Sequence, residues 1–385
     1  MRYALILALA ASTAAPAQSI ANPNRLRSVI AQLEGGQAGE QALRCEVSAI
    51  QPSLNYGFRY QAGYVVTVPM NQYRGSGHGW RTLTRITPEG GDGKPVYLIS
   101  RIPLPQVPKT NVEVTVGGGY LLGEGVYKVR WMMLDDTGRV CRKSWRVDVH
   151  LSRAERQVKV AMPPDTVWEI GLRGSRTLPR GTDDTAPLRL TIFLHAAPLF
   201  PRRTRMRPND MVTLMSTVSS LLERVPARSV RLVLFNLDRQ KELYRKEDFQ
   251  FQDMAQVSQA ITNIELGLVD FQVLQNKRGH IDLLTELVNR EIAAQPPSDV
   301  VLFLGPPARY FDSVPQASLE KPSGQGPQFY YFQLAPFFRR PAPAEPADTI
   351  KSALSRLGGK TLVIHTPGEF AKAIERLEKA RRNAP

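Results

Sequence analysis

The sequence predicts a multidomain chain, an all-β sandwich over residues 44–160 followed by a doubly wound α/β domain over 188–385. Three observations predict it. Apolar and polar residues alternate at period two through the first stretch, the spacing of half-buried strands. From Leu188 onward, short apolar runs alternate with stretches at helical spacing, as in an open sheet flanked by helices. Between them, residues 161–187 carry Pro163, Pro164, Gly171, Gly174, Pro179 and Gly181 with little periodicity, so this stretch reads as a linker.

At the N-terminus, Arg2 precedes an uncharged apolar run at 4–14, and Ala15-Pro16-Ala17 offers a small-x-small cleavage site. That is the layout of a secretory signal peptide over 1–17. The run has about half of the roughly 20 residues a spanning helix needs, which favours cleavage over an anchor. The expected destination is the periplasm or the exterior. Residues 18–43 form a polar N-terminal segment in which Leu26, Val29, Ile30 and Leu33 recur at helical spacing. The two cysteines, Cys45 and Cys141, are the minimum for a disulfide in an exported chain. Cys45, Val47 and Ala49 share one strand face, and Cys141, Trp145, Val147 and Val149 share another, so both thiols are expected in one core.

Strands are expected at 64–68, 95–99, 112–116, 126–134 and 140–151, the last two joined by the hairpin loop Asp135-Asp136-Thr137-Gly138. Gly75-Ser76-Gly77-His78-Gly79 reads as a flexible loop, and Gly117-Gly118-Gly119 as a turn. In the second half, strands are expected at 188–194, 230–237, 300–304, 329–334 and 361–364, with a short edge strand returning at 241–245. Helices are expected at 208–225, 253–261, 281–292 and 349–357. A final helix opens with Thr366, Pro367 and Glu369, the residues of a capping box. Residues 306–328 and 339–348 read as surface insertions.

Over 188–377 this order resembles a von Willebrand factor type A domain. The carrying features are the buried strand Val300-Val301-Leu302-Phe303-Leu304 and the ending Leu357-Gly358-Gly359-Lys360-Thr361 before a closing helix. The resemblance implies a Rossmann-type, doubly wound domain with a metal-ion-dependent adhesion site at the strand ends. In that family an Asp-x-Ser-x-Ser motif supplies oxygen donors suited to a hard cation. The matching stretch here is His195-Ala196-Ala197-Pro198-Leu199; the family's threonine falls at Gly279-His280 and its later aspartate at Gly305-Pro306. The resemblance therefore implies a degenerate site that holds no metal and no cofactor. It leaves a candidate partner-binding face made of His195, Ala197, Pro198, Leu199, Gly279, His280, Gly305 and Pro306.

No Gly-x-Ser-x-Gly elbow and no His-Glu-x-x-His occurs, and Gly90-Gly91-Asp92-Gly93-Lys94-Pro95 lacks the leading glycine and following hydroxyl of a phosphate loop. No catalytic residue is assigned. The formal net charge is +15, with Lys and Arg spread along the chain and only small clusters such as Arg202, Arg203 and Arg205. No basic run interleaves with aromatics, so there is no nucleic-acid signature. The expectation is an exported, non-catalytic interaction or scaffold protein that binds a protein partner without metal. The alternatives are an enzyme acting on cell-wall or extracellular polymer, and a protein that binds an acidic polymer.

Overall fold

The computed structural model describes residues 18–35, 41–108, 110–153, 155–170, 188–200, 203, 205–264, 271–320, 326–336 and 348–382. The expected signal peptide, most of the expected linker and nearly all of the insertion at 339–348 lie outside the described residues. The chain divides into two compact units. The first takes in the residues up to Leu54, Arg59–Ser152 and Lys159–Gly171; the second takes in Asn55–Phe58, Arg153–Val158 and Leu172–Pro385.

The first unit contains β1 (Ser19–Ile20), α1 (Arg27–Glu34), β2 (Glu46–Leu54), β3 (Tyr60–Pro69), β4 (Gly79–Pro88), β5 (Val96–Pro103), β6 (Glu113–Leu122), β7 (Gly125–Asp135), β8 (Val140–Val149) and β9 (Val167–Glu169). They form two antiparallel sheets, ordered β1-β5-β4-β7-β8 and β2-β3-β6-β9. Tyr64, Val66 and Val68 of β3 share one core with Trp80 of β4 and with Trp131 and Met133 of β7. Met132 points the other way, into a second cluster with Leu83, Tyr97 and Leu33 of α1. Successive side chains of a strand leave opposite faces. The five-stranded sheet is thus covered on both faces, one of them by α1, the helix expected within residues 18–43.

Two local expectations change. The central strand β4 went unread because its inward positions include Thr82 and Thr84, which are polar yet buried. Their hydroxyls lie within reach of partners: the Tyr64 hydroxyl donates to Thr82 (3.2 Å) and Gln18 donates to Tyr64 (2.8 Å). The triplet Gly117, Gly118 and Gly119 lies inside β6 and is not a turn. A Cβ at Gly118 would stand 2.5 Å from the Tyr64 hydroxyl oxygen, and one at Gly63 would stand 2.2 Å from the Gly118 carbonyl oxygen. Here glycine serves close approach of β3 and β6 beneath a tyrosine ring.

The second unit contains β10 (Leu188–His195), α2 (Pro208–Arg224), β11 (Ala227–Asn236), β12 (Lys241–Lys246), α3 (Met254–Thr262), α4 (Phe271–Gln275), α5 (Gly279–Ile292), β13 (Val300–Gly305), β14 (Gln328–Leu334), α6 (Thr349–Arg356), β15 (Lys360–Ile364) and α7 (Pro367–Arg382). One sheet runs in the order β12-β11-β10-β13-β14-β15. Leu284, Leu287 and Val288 of α5 and Ile350, Ala353 and Leu354 of α6 pack on Phe193, Phe235, Phe303 and Tyr331. The capping box of α7 forms: Thr366 Oγ1 accepts from the Glu369 amide (3.2 Å), and the Glu369 carboxylate accepts from the Thr366 amide (3.3 Å).

The expected class, an all-β sandwich with a doubly wound von Willebrand A-like domain, is corrected. Among the described residues strand outweighs helix, 38% against 27%, in three sheets, and no clear doubly wound type A fold emerges. The sheet of the second unit is mixed: β12 runs antiparallel to β11, while the other neighbours run parallel. The reason lies in the connection. Residues 237–240 form only a turn, closed by the Gln240 amide on the Leu237 carbonyl (3.1 Å). A parallel crossover needs a dozen residues or more, so so short a link can only return antiparallel.

Among the described residues no helix is long and apolar enough to cross a membrane. Cys45 and Cys141 form a disulfide with a Cα–Cα distance of 6.3 Å and a sequence separation of 96. Both half-cystines pack against the core that the two sheets share. Closing a loop of that length restricts the unfolded chain by about 4 to 5 kcal/mol in the chain-entropy model. Replacing both cysteines by serine is therefore expected to lower unfolding stability by about 4 kcal/mol, measured by urea unfolding as a lower midpoint with a steeper slope, since the unfolded chain expands without the cross-link.

Candidate functional site

Strands β10, β11, β13 and β14 of the second unit end at one edge of their sheet, and the residues matched to the adhesion site lie there. His195 closes β10. Its ring stacks on Phe235 with centroids 5.2 Å apart, and its Nδ1–H donates to the Pro306 carbonyl over 3.1 Å. A carbonyl can only accept, so Nδ1 carries the proton and Nε2 presents a lone pair. Nε2 is buried with no hydrogen-bond partner. Gly305 makes this approach possible. Its φ is +144°, and a Cβ there would stand 2.6 Å from the His195 carbonyl oxygen. His195 is only 2% exposed, and burial holds its imidazole below the ordinary pKa, so it is neutral.

The Pro306 carbonyl also accepts from the Tyr331 hydroxyl (3.0 Å). Beside it lies Asp348, buried at the start of α6. Its carboxylate accepts from the Lys351 amide (2.7 Å), the Ala308 amide (3.2 Å) and the Gln333 side chain (2.9 Å). Burial raises the Asp348 pKa, opposed by those donors and by the neighbouring His195. Burial pushes the Tyr331 hydroxyl well above the ordinary phenol value. On the β11 side, the Asn236 side chain donates to the Ala196 carbonyl (2.6 Å) and accepts from the Arg239 amide (2.7 Å).

His280 stands in the first turn of α5. Its ring stacks on Tyr310 at 4.0 Å, and its Nε2–H donates to Asp312 over 3.0 Å. Gly279 leaves room for Gln240, whose side chain donates to the Asn276 carbonyl (2.9 Å). The structure thus joins His195 with Gly305 and Pro306, while Gly279 and His280 engage Gln240, Tyr310 and Asp312. The loop after β13 reaches both histidines. His195, Ala197, Pro198, Leu199, Gly279, His280, Gly305 and Pro306 are all buried. Two large side chains that flank His280 in the sequence are exposed instead: Phe271 is 76% exposed and Phe311 55% exposed. Among the described residues, no group of three or more His, Cys, Asp or Glu side chains is placed to hold a metal ion.

Asp348, Tyr331, Gln333, Tyr310 and Asp312 were not singled out from the sequence. Asp348 carried a readable signal, an Asp directly before a helical stretch. Tyr310 and Asp312 lie in irregular backbone, where spacing gives no guide.

No family model and no curated protein matches this chain. Solved structures with partial likeness include a superoxide reductase (neelaredoxin) from Ignicoccus hospitalis, at 14% identity over 31% of this chain and 91% of that one, TM-score 0.20. A superoxide reductase from Archaeoglobus fulgidus matches at 13% identity over 30% of this chain and 97% of that one, TM-score 0.21. A β-glucuronidase from Bacteroides uniformis matches at 8% identity over 82% of this chain and 38% of that one, TM-score 0.20. Likeness at this level carries no functional inference.

A neutral, buried His195 has a pH signature. The unfolded chain takes up a proton near the ordinary imidazole value of 6.5, and the folded chain resists doing so. The histidine's contribution to stability is therefore present above that value and lost as pH falls below it. Denaturant titrations at pH 7.5 and 5.5 should show wild type losing up to about 1.4 kcal/mol per pH unit from this group. The His195→Gln variant, though less stable at both, should lack that increment.

Proposed function

We propose that this chain is an exported, non-catalytic binding protein that engages a protein partner, without a metal ion, at the edge where β10, β11, β13 and β14 end. One observation carries the reading: two phenylalanines, Phe271 at the start of α4 and Phe311 beside Asp312, the partner of His280, are exposed. Large exposed aromatics are the usual anchors of protein interfaces. Lys277 and Arg278 are exposed beside α5, so the fitting partner offers an apolar pocket with an acidic rim. The positions that would carry oxygen donors for a cation are instead His195, Ala197 and Leu199, all buried.

The same features weigh against catalysis at this edge. Tyr331 is held far from ionisation, Asp348 has its lone pairs occupied by backbone and side-chain donors, and both are buried. A general acid or base must reach the proton it transfers. The disulfide fits an oxidising compartment outside the cytosol.

The test is capture of partner from an envelope extract by immobilised protein, with and without chelator, followed by affinity measurement on the captured species. The expected result is capture that ignores chelator and weakens about 30-fold, some 2 kcal/mol, in Phe311→Asp. Capture abolished by chelator, or unchanged in both Phe311→Asp and Phe271→Asp, overturns the reading.

A further inference from the structure

At the opposite edge of the same sheet, where β10, β11 and β13 begin, lies a cavity of about 720 Å³. It falls within the range of small-molecule sites, roughly 300 to 1,000 Å³. Its wall includes Arg189, Ser229, Arg231, Arg245, Glu291 and Ser298.

We propose that this cavity binds a small zwitterion, an α-amino acid or a compound of the same chemistry, with its carboxylate on Arg189 and its ammonium at Glu291. The argument starts from Glu291, in the last turn of α5 and only 1% exposed. Its Oε1 accepts from Thr191 Oγ1 (2.8 Å), Ser298 Oγ (2.7 Å) and Arg231 Nη1 (2.6 Å). Its Oε2 is equally buried and has no hydrogen-bond partner. A buried carboxylate oxygen without a donor is costly, and native proteins leave few such atoms unexplained. An ammonium brings three donors and no acceptor, which is what this oxygen lacks.

The arginines divide unequally. Arg231 is bound by Glu247 and Glu291. Arg245 is held in a two-pronged contact with Glu242 (2.9 Å for each bond). Arg290 is shared between Glu242 and Glu286. Arg189 differs: its backbone amide donates to Asp299 (2.7 Å), while its guanidinium has no ion-pair partner among the described residues. The planar guanidinium matches a carboxylate with two parallel hydrogen bonds. Besides the exposed Asp248, the cavity wall therefore holds one uncommitted cation and one buried carboxylate oxygen without a donor. A ligand carrying both charges answers both, whereas a simple anion would answer Arg189 alone and leave Glu291 as it is.

The experiment is thermal-shift screening of the mature full-length chain against the standard amino acids one at a time, followed by calorimetric titration of any that shift it. Acetate, inorganic phosphate and ethylammonium serve as single-charge controls. The expected result is saturable binding of at least one amino acid, with each control roughly tenfold weaker or worse. Arg189→Ala, at a half-buried position, should fold normally and weaken binding about tenfold or more. Glu291→Gln keeps the side-chain volume and should weaken amino-acid binding while leaving acetate binding unchanged. No binding by any amino acid overturns the proposal. So does amino-acid binding that survives Arg189→Ala, or phosphate binding as tight as that of the best amino acid, which would make this a plain anion site.

Discussion

The strand ends of the six-stranded sheet are held by a single buried carboxylate. Asp348 takes amide protons from Ala308 and Lys351 and a side-chain proton from Gln333. It thereby ties the loop after β13, the end of β14 and the start of α6 to one point. That tie sets the position of Pro306, and Pro306 in turn sets His195 through Nδ1 and Tyr331 through its hydroxyl. Parallel strands that stop together leave a row of backbone groups needing partners, and burial makes any omission costly. Here the row is closed from within.

That closure explains why the exposed parts of the edge differ from those the residue pattern singled out. His195, Ala197, Leu199 and His280 are spent on packing and internal hydrogen bonds. The solvent-facing features are Phe271 and Phe311, carried by elements on either side of His280. The opposite edge is lined by charged side chains instead. Its arginines are largely neutralised by glutamates, yet one guanidinium and one buried carboxylate oxygen are left without partners beside a cavity.

Much of the local structure was legible because the physics is local. The period-two runs at 126–134 and 140–151, the helical spacing of Leu26 to Leu33, the capping box at Thr366 and the short return after β11 all depend on residues close in sequence. The illegible parts depend on distant neighbours. Thr82 and Thr84 look like surface positions until Tyr64 and Gln18 come to meet them. Gly117 to Gly119 looks like a turn until β3 passes within reach. The same holds for the site. The identity of His195 could be read, but its burial beneath Pro306 and its nearness to Asp348, far along the chain, could not. The antiparallel edge strand was legible from its short link, and it makes the sheet mixed, which element order alone does not convey.

The central claim is that this edge is complete without a cation. The most direct test is the melting temperature of the mature chain titrated with magnesium, calcium, manganese and zinc after exhaustive chelation. A protein that binds a ligand only when folded gains stability with ligand concentration. The account predicts no saturable rise with any of the four. A saturable rise that disappears in His195→Gln would contradict it and would make the buried Nε2 lone pair a metal ligand.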